Sequence, residues 1–152
     1  MTRPDESRHT RLTRNLSELL QELRVAQAGV QILFAFLLTV AFMDRFASAG
    51  SFAHGLHITT VLLATTSAAL LIAPAAWHRV LFRKRRREEI IRAANWCALG
   101  GLALLAASMT GTVLLIGIVV LGPGWGTAAV GAGVGCLFLA LWFLVPLRIR
   151  RQ

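Results

Sequence analysis

Four apolar stretches, each close to the length of a membrane-crossing helix, fill most of this chain, and nearly all of its arginines lie between or outside them. The stretches cover residues 25–42, 56–77, 93–117 and 127–147. A helix needs roughly 20 residues to cross ~30 Å of hydrocarbon. A bilayer offers the backbone no water, so each segment must satisfy its own N–H and C=O groups, which a helix does. A closed barrel is excluded, because four spans are too few and none of them alternates polar with apolar residues. The expected fold class is therefore all-α, an integral membrane four-helix bundle. Composition agrees: 56% hydrophobic and 15% charged residues, with a mean hydropathy of +0.65, leave too little polar surface for a soluble exterior.

The basic residues set the orientation. Arg3, Arg8, Arg11, Arg14 and Arg24 precede the first span. Arg79, Arg83, Lys84, Arg85, Arg86, Arg87 and Arg92 occupy the middle loop, residues 78–92, and Arg148, Arg150 and Arg151 the tail, residues 148–152. The opposite side carries only Arg45, offset by Asp44, and the link at 122–126 is uncharged. Positive loops stay inside, so both termini and the middle loop are expected in the cytoplasm, with the chain multi-pass in the inner (cytoplasmic) membrane. The first two dozen residues are polar, so no cleavable signal sequence is expected among them. A net charge of +9 placed beside apolar spans is suited to anionic lipid head groups, and no nucleic-acid partner is expected.

Residues 1–13 are polar and read as a disordered tail. Residues 14–24 read as an amphipathic helix. Asn15 and Glu18 suit a capping box, and Leu16, Leu19, Leu20 and Leu23 recur at helical spacing. Its polar side is mildly acidic, which fits either packing on its own bundle or docking to a partner. The densest charge run, Arg83, Lys84, Arg85, Arg86 and Arg87, is expected to anchor topology and touch anionic lipid.

Polar side chains at membrane depth are where a function would be written. Gln27 and Gln31 lie four apart on the first span, Thr59 and Thr66 belong to a Thr-rich second span, and Asn95 opens the third. With Glu18, Glu22, Arg24, His78 and Arg79 they form a candidate pore lining or polar cluster. The alternative is structural: Gln and Asn bond between helices, and Ser or Thr bonds back to its own helix. His54 and His57 lack the further ligands a metal site requires, and Cys97 and Cys136 are expected as free, packed thiols. No nucleophile elbow, zincin motif or paired intramembrane carboxylate is present. Neither enzyme activity nor a cofactor or metal is expected.

Thr127, Gly131 and Gly135 make a small-residue stripe on the fourth span. Gly100, Ala103, Ala107 and Gly111 make one on the third. Such stripes let helices approach closely, within one chain or between copies. Four helices leave little room for a private pathway, so transport would call for a homo-oligomer.

The block from Asn15 through Arg24 and on to Gln31 and Leu38, with a second block from Ala73 to Arg79 and Phe82-Arg83, resembles an uncharacterised four-span actinobacterial membrane family, a domain of unknown function. Some similar sequences carry an automatic label of sodium/proton antiporter. Antiporters rely on buried acidic residues and broken helices in large repeat folds, and this sequence has neither. The leading expectation is an oligomeric ion channel or transporter. The second is a structural or regulatory membrane subunit that binds a partner protein or anionic lipid; a stable monomer with a dry interior would favour it.

Overall fold

A computed structural model of the protein describes residues 8–81 and 87–149. The expected basic cluster at Arg83, Lys84, Arg85 and Arg86, the first seven residues and the last three lie outside the described residues. The described chain is helical and contains no strand. Helix α1 runs Arg8–Val40, and a ten-residue link at 41–50 holds the short α2, Asp44–Ala47. Helices α3, Ser51–Leu81, and α4, Arg87–Leu121, follow. After a tight turn come α5, Trp125–Leu139, one π-helical turn, Ala140–Leu144, and the short α6, Val145–Ile149. Four segments are long and apolar enough to cross a membrane: Leu20–Val40, Ser51–Trp77, Arg92–Leu121 and Trp125–Ile149. The protein is a multi-pass membrane protein by that measure.

Helix ends differ from the sequence-based expectations in three places. Helix α1 begins at Arg8, so residues 8–13 are helical and Asn15 lies inside a helix instead of capping one. No Gly or Pro separates Arg8 from the apolar run, and Leu12 continues its helical spacing backwards. Helix α3 starts at Ser51, ahead of the apolar run. The middle loop is shorter than 78–92, because α3 continues to Leu81 and α4 resumes at Arg87, again through residues that do not break helices.

The bundle is built on α3 and α4. The buried residues of α3 are Ala53, His57, Thr60, Ala64, Ser67, Leu71 and Pro74, at alternating intervals of four and three. Those of α4 include Ala94, Ala98, Gly101, Leu105, Ser108, Thr112 and Leu115, at the same intervals. A four-three repeat is the seam of a left-handed helix pair. Contacts between Ser67 and Gly101 and between Thr60 and Ser108 make the pair antiparallel. Small residues dominate the seam because lipid supplies no hydrophobic force between helices; close backbone approach and dispersion must hold them. Gly101 shows how close. A Cβ there would stand 2.8 Å from both Cδ2 and Cγ of Leu71 and 3.4 Å from the carbonyl oxygen of Ser67.

Helix α1 lies across this pair with Leu23, Val30 and Leu37 inward, joined to Ala64, Leu71, Ala98 and Leu105 in one core. A second core at the far end gathers Val40, Phe46, Ala53 and Leu115. Pro74 sits buried inside α3 and denies the Leu70 carbonyl its helical donor. At that same turn, Gln27 Nε2 of α1 donates to the Leu71 carbonyl at 2.7 Å. Replacing Gln27 with Leu keeps the bulk and removes this fastening, and is expected to cost about 1 kcal/mol, read as an earlier unfolding midpoint in mixed micelles.

Helix α5 packs against α4 and stands apart from the rest. Only 6% of its span is buried, against 28% for α3 and α4. The turn before it is enforced by Gly122 at φ 86°, a left-handed position whose N–H closes α4 on the Ile118 carbonyl at 3.0 Å. Thr127 Oγ1 then donates back to the Gly122 carbonyl at 3.0 Å. The π-helical turn lies just before Pro146, whose ring would crowd the carbonyl of Trp142 in a regular helix.

Candidate functional site

The polar residues of the spans divide into two groups. In the first, side chains are spent inside the bundle. Ser67 Oγ of α3 donates to the Gly101 carbonyl of α4 at 2.7 Å, and Ser108 Oγ of α4 returns a bond to the Thr60 carbonyl of α3 at 3.0 Å. With Gln27 these are three fasteners across helix boundaries. Thr60 and Thr112 are also buried, and each donates to a carbonyl four residues back. A hydroxyl satisfied in this way has spent its proton, and burial packs its oxygen away from any water-filled path.

The second group faces outward. Gln31, Thr59, Thr66 and Asn95 are exposed on the bundle surface. Thr59 and Thr66 bond back to Gly55 and Leu62 carbonyls at 2.9 and 2.8 Å. Gln27 and Gln31 therefore part company: one turns into the bundle and the other away from it. Glu18, Glu22 and Arg24 are exposed on the polar extension of α1, where Glu18 lies 3.7 Å from Arg14 Nε. Arg79 is exposed near the end of α3. His78 and Arg87 lie within helices, with their side chains outside the described ones. Within a single chain the candidate lining is divided between Gln27, which is turned into the bundle, and Gln31, Thr59, Thr66 and Asn95, which are exposed.

The small-residue stripes are also divided. Gly131 and Gly135 do face α4, meeting Leu114 and Thr110. Gly100 and Gly111 face α3 instead, meeting Leu70 and Thr60. Ala103 and Ala107 are exposed. The face of α4 that meets α5 is carried by Thr110, Leu114 and Gly117, a slightly rotated set. Between α3, α4 and α5 lies an open cavity of about 560 Å³, walled by Leu56, Leu63, Ala103, Ala107, Leu139 and Phe143 among others. Its size falls in the range of ligand pockets, but its few hydroxyls are back-bonded to their own helices.

Two features were hidden from sequence reasoning. Ser67 and Ser108 look like any other small polar residues; only their place in the four-three repeat marks them as fasteners. His57 is 5% exposed, edge-on to Phe46 with ring centroids 4.8 Å apart, and neither ring nitrogen has a partner. It occupies a seam position at the end of α3 where α2 folds over it. His54 rests on the other part of the same Phe46 ring at 4.7 Å. Among the described residues no three His, Cys, Asp or Glu side chains come together as a metal site would need. Cys97 is half-buried and Cys136 exposed, both as free thiols.

Comparison with known families follows the same outline. A family model matches residues 5–146, almost the whole chain, from before the first span to near the end of the fourth. The chain belongs to DUF6328, a family of unknown function. No curated protein and no solved structure matches it. Membership in DUF6328 agrees with the resemblance to an uncharacterised family and adds no chemistry to it.

Proposed function

We propose that this chain is a non-catalytic structural or regulatory membrane subunit, and that ions do not pass through it. The observation that carries this reading is the use of its buried hydroxyls and of Gln27: each is committed to a backbone carbonyl within the bundle. A conduction path needs unspent donors or acceptors along a wet axis. Along the α3–α4 seam the buried hydroxyls spend their protons on carbonyls, and His57, whose ring nitrogens have no partner among the described residues, is enclosed against Phe46.

What the molecule does present is its α1 extension. Helix α1 continues from Leu20 back to Arg8, roughly 18 Å at 1.5 Å per residue. That segment carries Arg14, Glu18 and, at its junction with the span, Glu22 and Arg24 on exposed surface. Arg79, Arg92 and Arg148 lie at the same end of the bundle. In this reading that end faces the cytoplasm, the α1 extension docks a partner protein, and the basic rim holds anionic lipid.

Ion flux into liposomes that hold the purified protein tests the proposal. The expected result is flux no greater than in empty liposomes, with or without a pH gradient, and the same for Gln31→Leu. Flux with wild type that falls in the variant would restore the channel reading.

A further inference from the structure

Gln31 stands near the middle of the first span, eleven residues from Leu20 and nine from Val40. At 1.5 Å per residue it is roughly 14 Å or more from either end, beyond the reach of a glutamine side chain to the head groups. It is exposed, and its amide has no hydrogen-bond partner among the described residues. A carboxamide left unpaired in hydrocarbon is costly, because nothing in the lipid can replace the hydrogen bonds it made to water. The single chain therefore leaves a mid-span carboxamide unsatisfied, on an exposed face of α1.

We infer that this face of α1 is the contact between two copies of the chain, paired through Gln31. Three observations select a second copy over other occupants. A carboxamide carries both donors and an acceptor, so it is complementary to another copy of itself. Copies inserted with one topology share one direction through the bilayer, so their α1 helices run parallel about a two-fold axis along the membrane normal. Gln31 then meets Gln31 of the second copy at the same depth. The surroundings also fit: Ala28, Gln31, Ala35 and Leu38 are all exposed and follow the three-four-three spacing of a helix-pair seam. Ala28 and Ala35, one turn to either side, are small enough to let the two backbones approach to amide-bonding distance. A single polar residue within an apolar seam fixes register and stoichiometry, which makes the pair specific. The inference is independent of the partner-protein reading, since it concerns association in the bilayer and not what the α1 extension binds.

The test uses the full chain in phosphatidylethanolamine and phosphatidylglycerol liposomes, with Cys97 and Cys136 replaced by Ala. Association is followed by energy transfer between labelled copies as lipid is diluted in, and the interface by oxidative cross-linking. Ala35→Cys is expected to form a covalent dimer, and Ala132→Cys on the exposed side of α5 is not. Gln31→Leu is expected to weaken the dimer roughly tenfold, whereas Gln31→Asn, which keeps the amide, holds most of it. Gln31 is exposed and makes no hydrogen bond among the described residues, so these variants are expected to keep the helical content and unfolding midpoint of wild type. A wild type that stays monomeric at every protein-to-lipid ratio overturns the inference. So does a Gln31→Leu dimer as strong as wild type, or cross-linking through α5 in preference to α1.

Discussion

Gly101→Leu is expected to destabilise the bundle by about 3 kcal/mol or more, the largest effect of any single change considered. The first added carbon already stands 2.8 Å from two atoms of Leu71, one of them the branch point Cγ and not a free methyl. Leu71 is completely buried and cannot swing aside. Relief must come from moving α4 away from α3, which stretches the 2.7 Å bond from Ser67 to the Gly101 carbonyl and loosens every seam contact beyond it. In lipid, no hydrophobic force pulls the helices back together. Against a stability of about 5–15 kcal/mol, the loss shifts the unfolding midpoint in mixed micelles well towards lower denaturant. A midpoint equal to that of wild type would mean that the α3–α4 approach is looser than the geometry states.

Gly117→Leu is expected to act on the fourth span alone, with a local cost of about 2 kcal/mol. A Cβ on Gly117 stands 2.7 Å from Thr127 Cγ2. Thr127 is buried, β-branched, and held by its bond to the Gly122 carbonyl, so it does not rotate out of the way. Helix α5 has little other burial to hold it. Hydrogen exchange should therefore rise along α5 while α1, α3 and α4 keep wild-type protection. Equal loosening of all four spans would show that α5 is integral to the core and not an attachment to α4.

The contrast between these two glycines also shows what can be read from this sequence. The four spans are legible because hydrocarbon makes local composition decisive, and their ends drift by several residues where helices continue past the apolar part, through polar helix formers at 8–13 and 87–92 and through residues 51–55 before the second span. The role of each polar residue is much less legible. Thr59 and Thr60 are neighbours of one type, yet one is exposed and the other completely buried. The small-residue stripe of Gly100, Ala103, Ala107 and Gly111 points to the wrong partner helix at its glycines, because the third span is apolar on every side and its packing phase is set by the smaller residues of the four-three repeat. That repeat, from Ala53 to Pro74 and from Ala94 to Leu115, is present in the sequence and would have singled out Ser67, Gly101 and Ser108. Gln27 and Gln31 show the limit: residue type and spacing treat them alike, and only the position of Leu71 beside Pro74 gives one of them a bond.

The central claim is that Gln27, Ser67 and Ser108 fasten helices and that no water path runs along the α3–α4 seam. Accessibility of cysteines placed at those positions tests it most directly. Ser67→Cys and Ser108→Cys, each in a chain whose Cys97 and Cys136 are replaced by Ala, are to be exposed in sealed liposomes to a membrane-impermeant maleimide on either side. Ser48→Cys, exposed in the link after α2, serves as the reactive control. The account requires that Ser48→Cys react and that neither seam cysteine does. Labelling of either seam position at a rate near that of the control would place water beside α3 and α4, and would contradict the account.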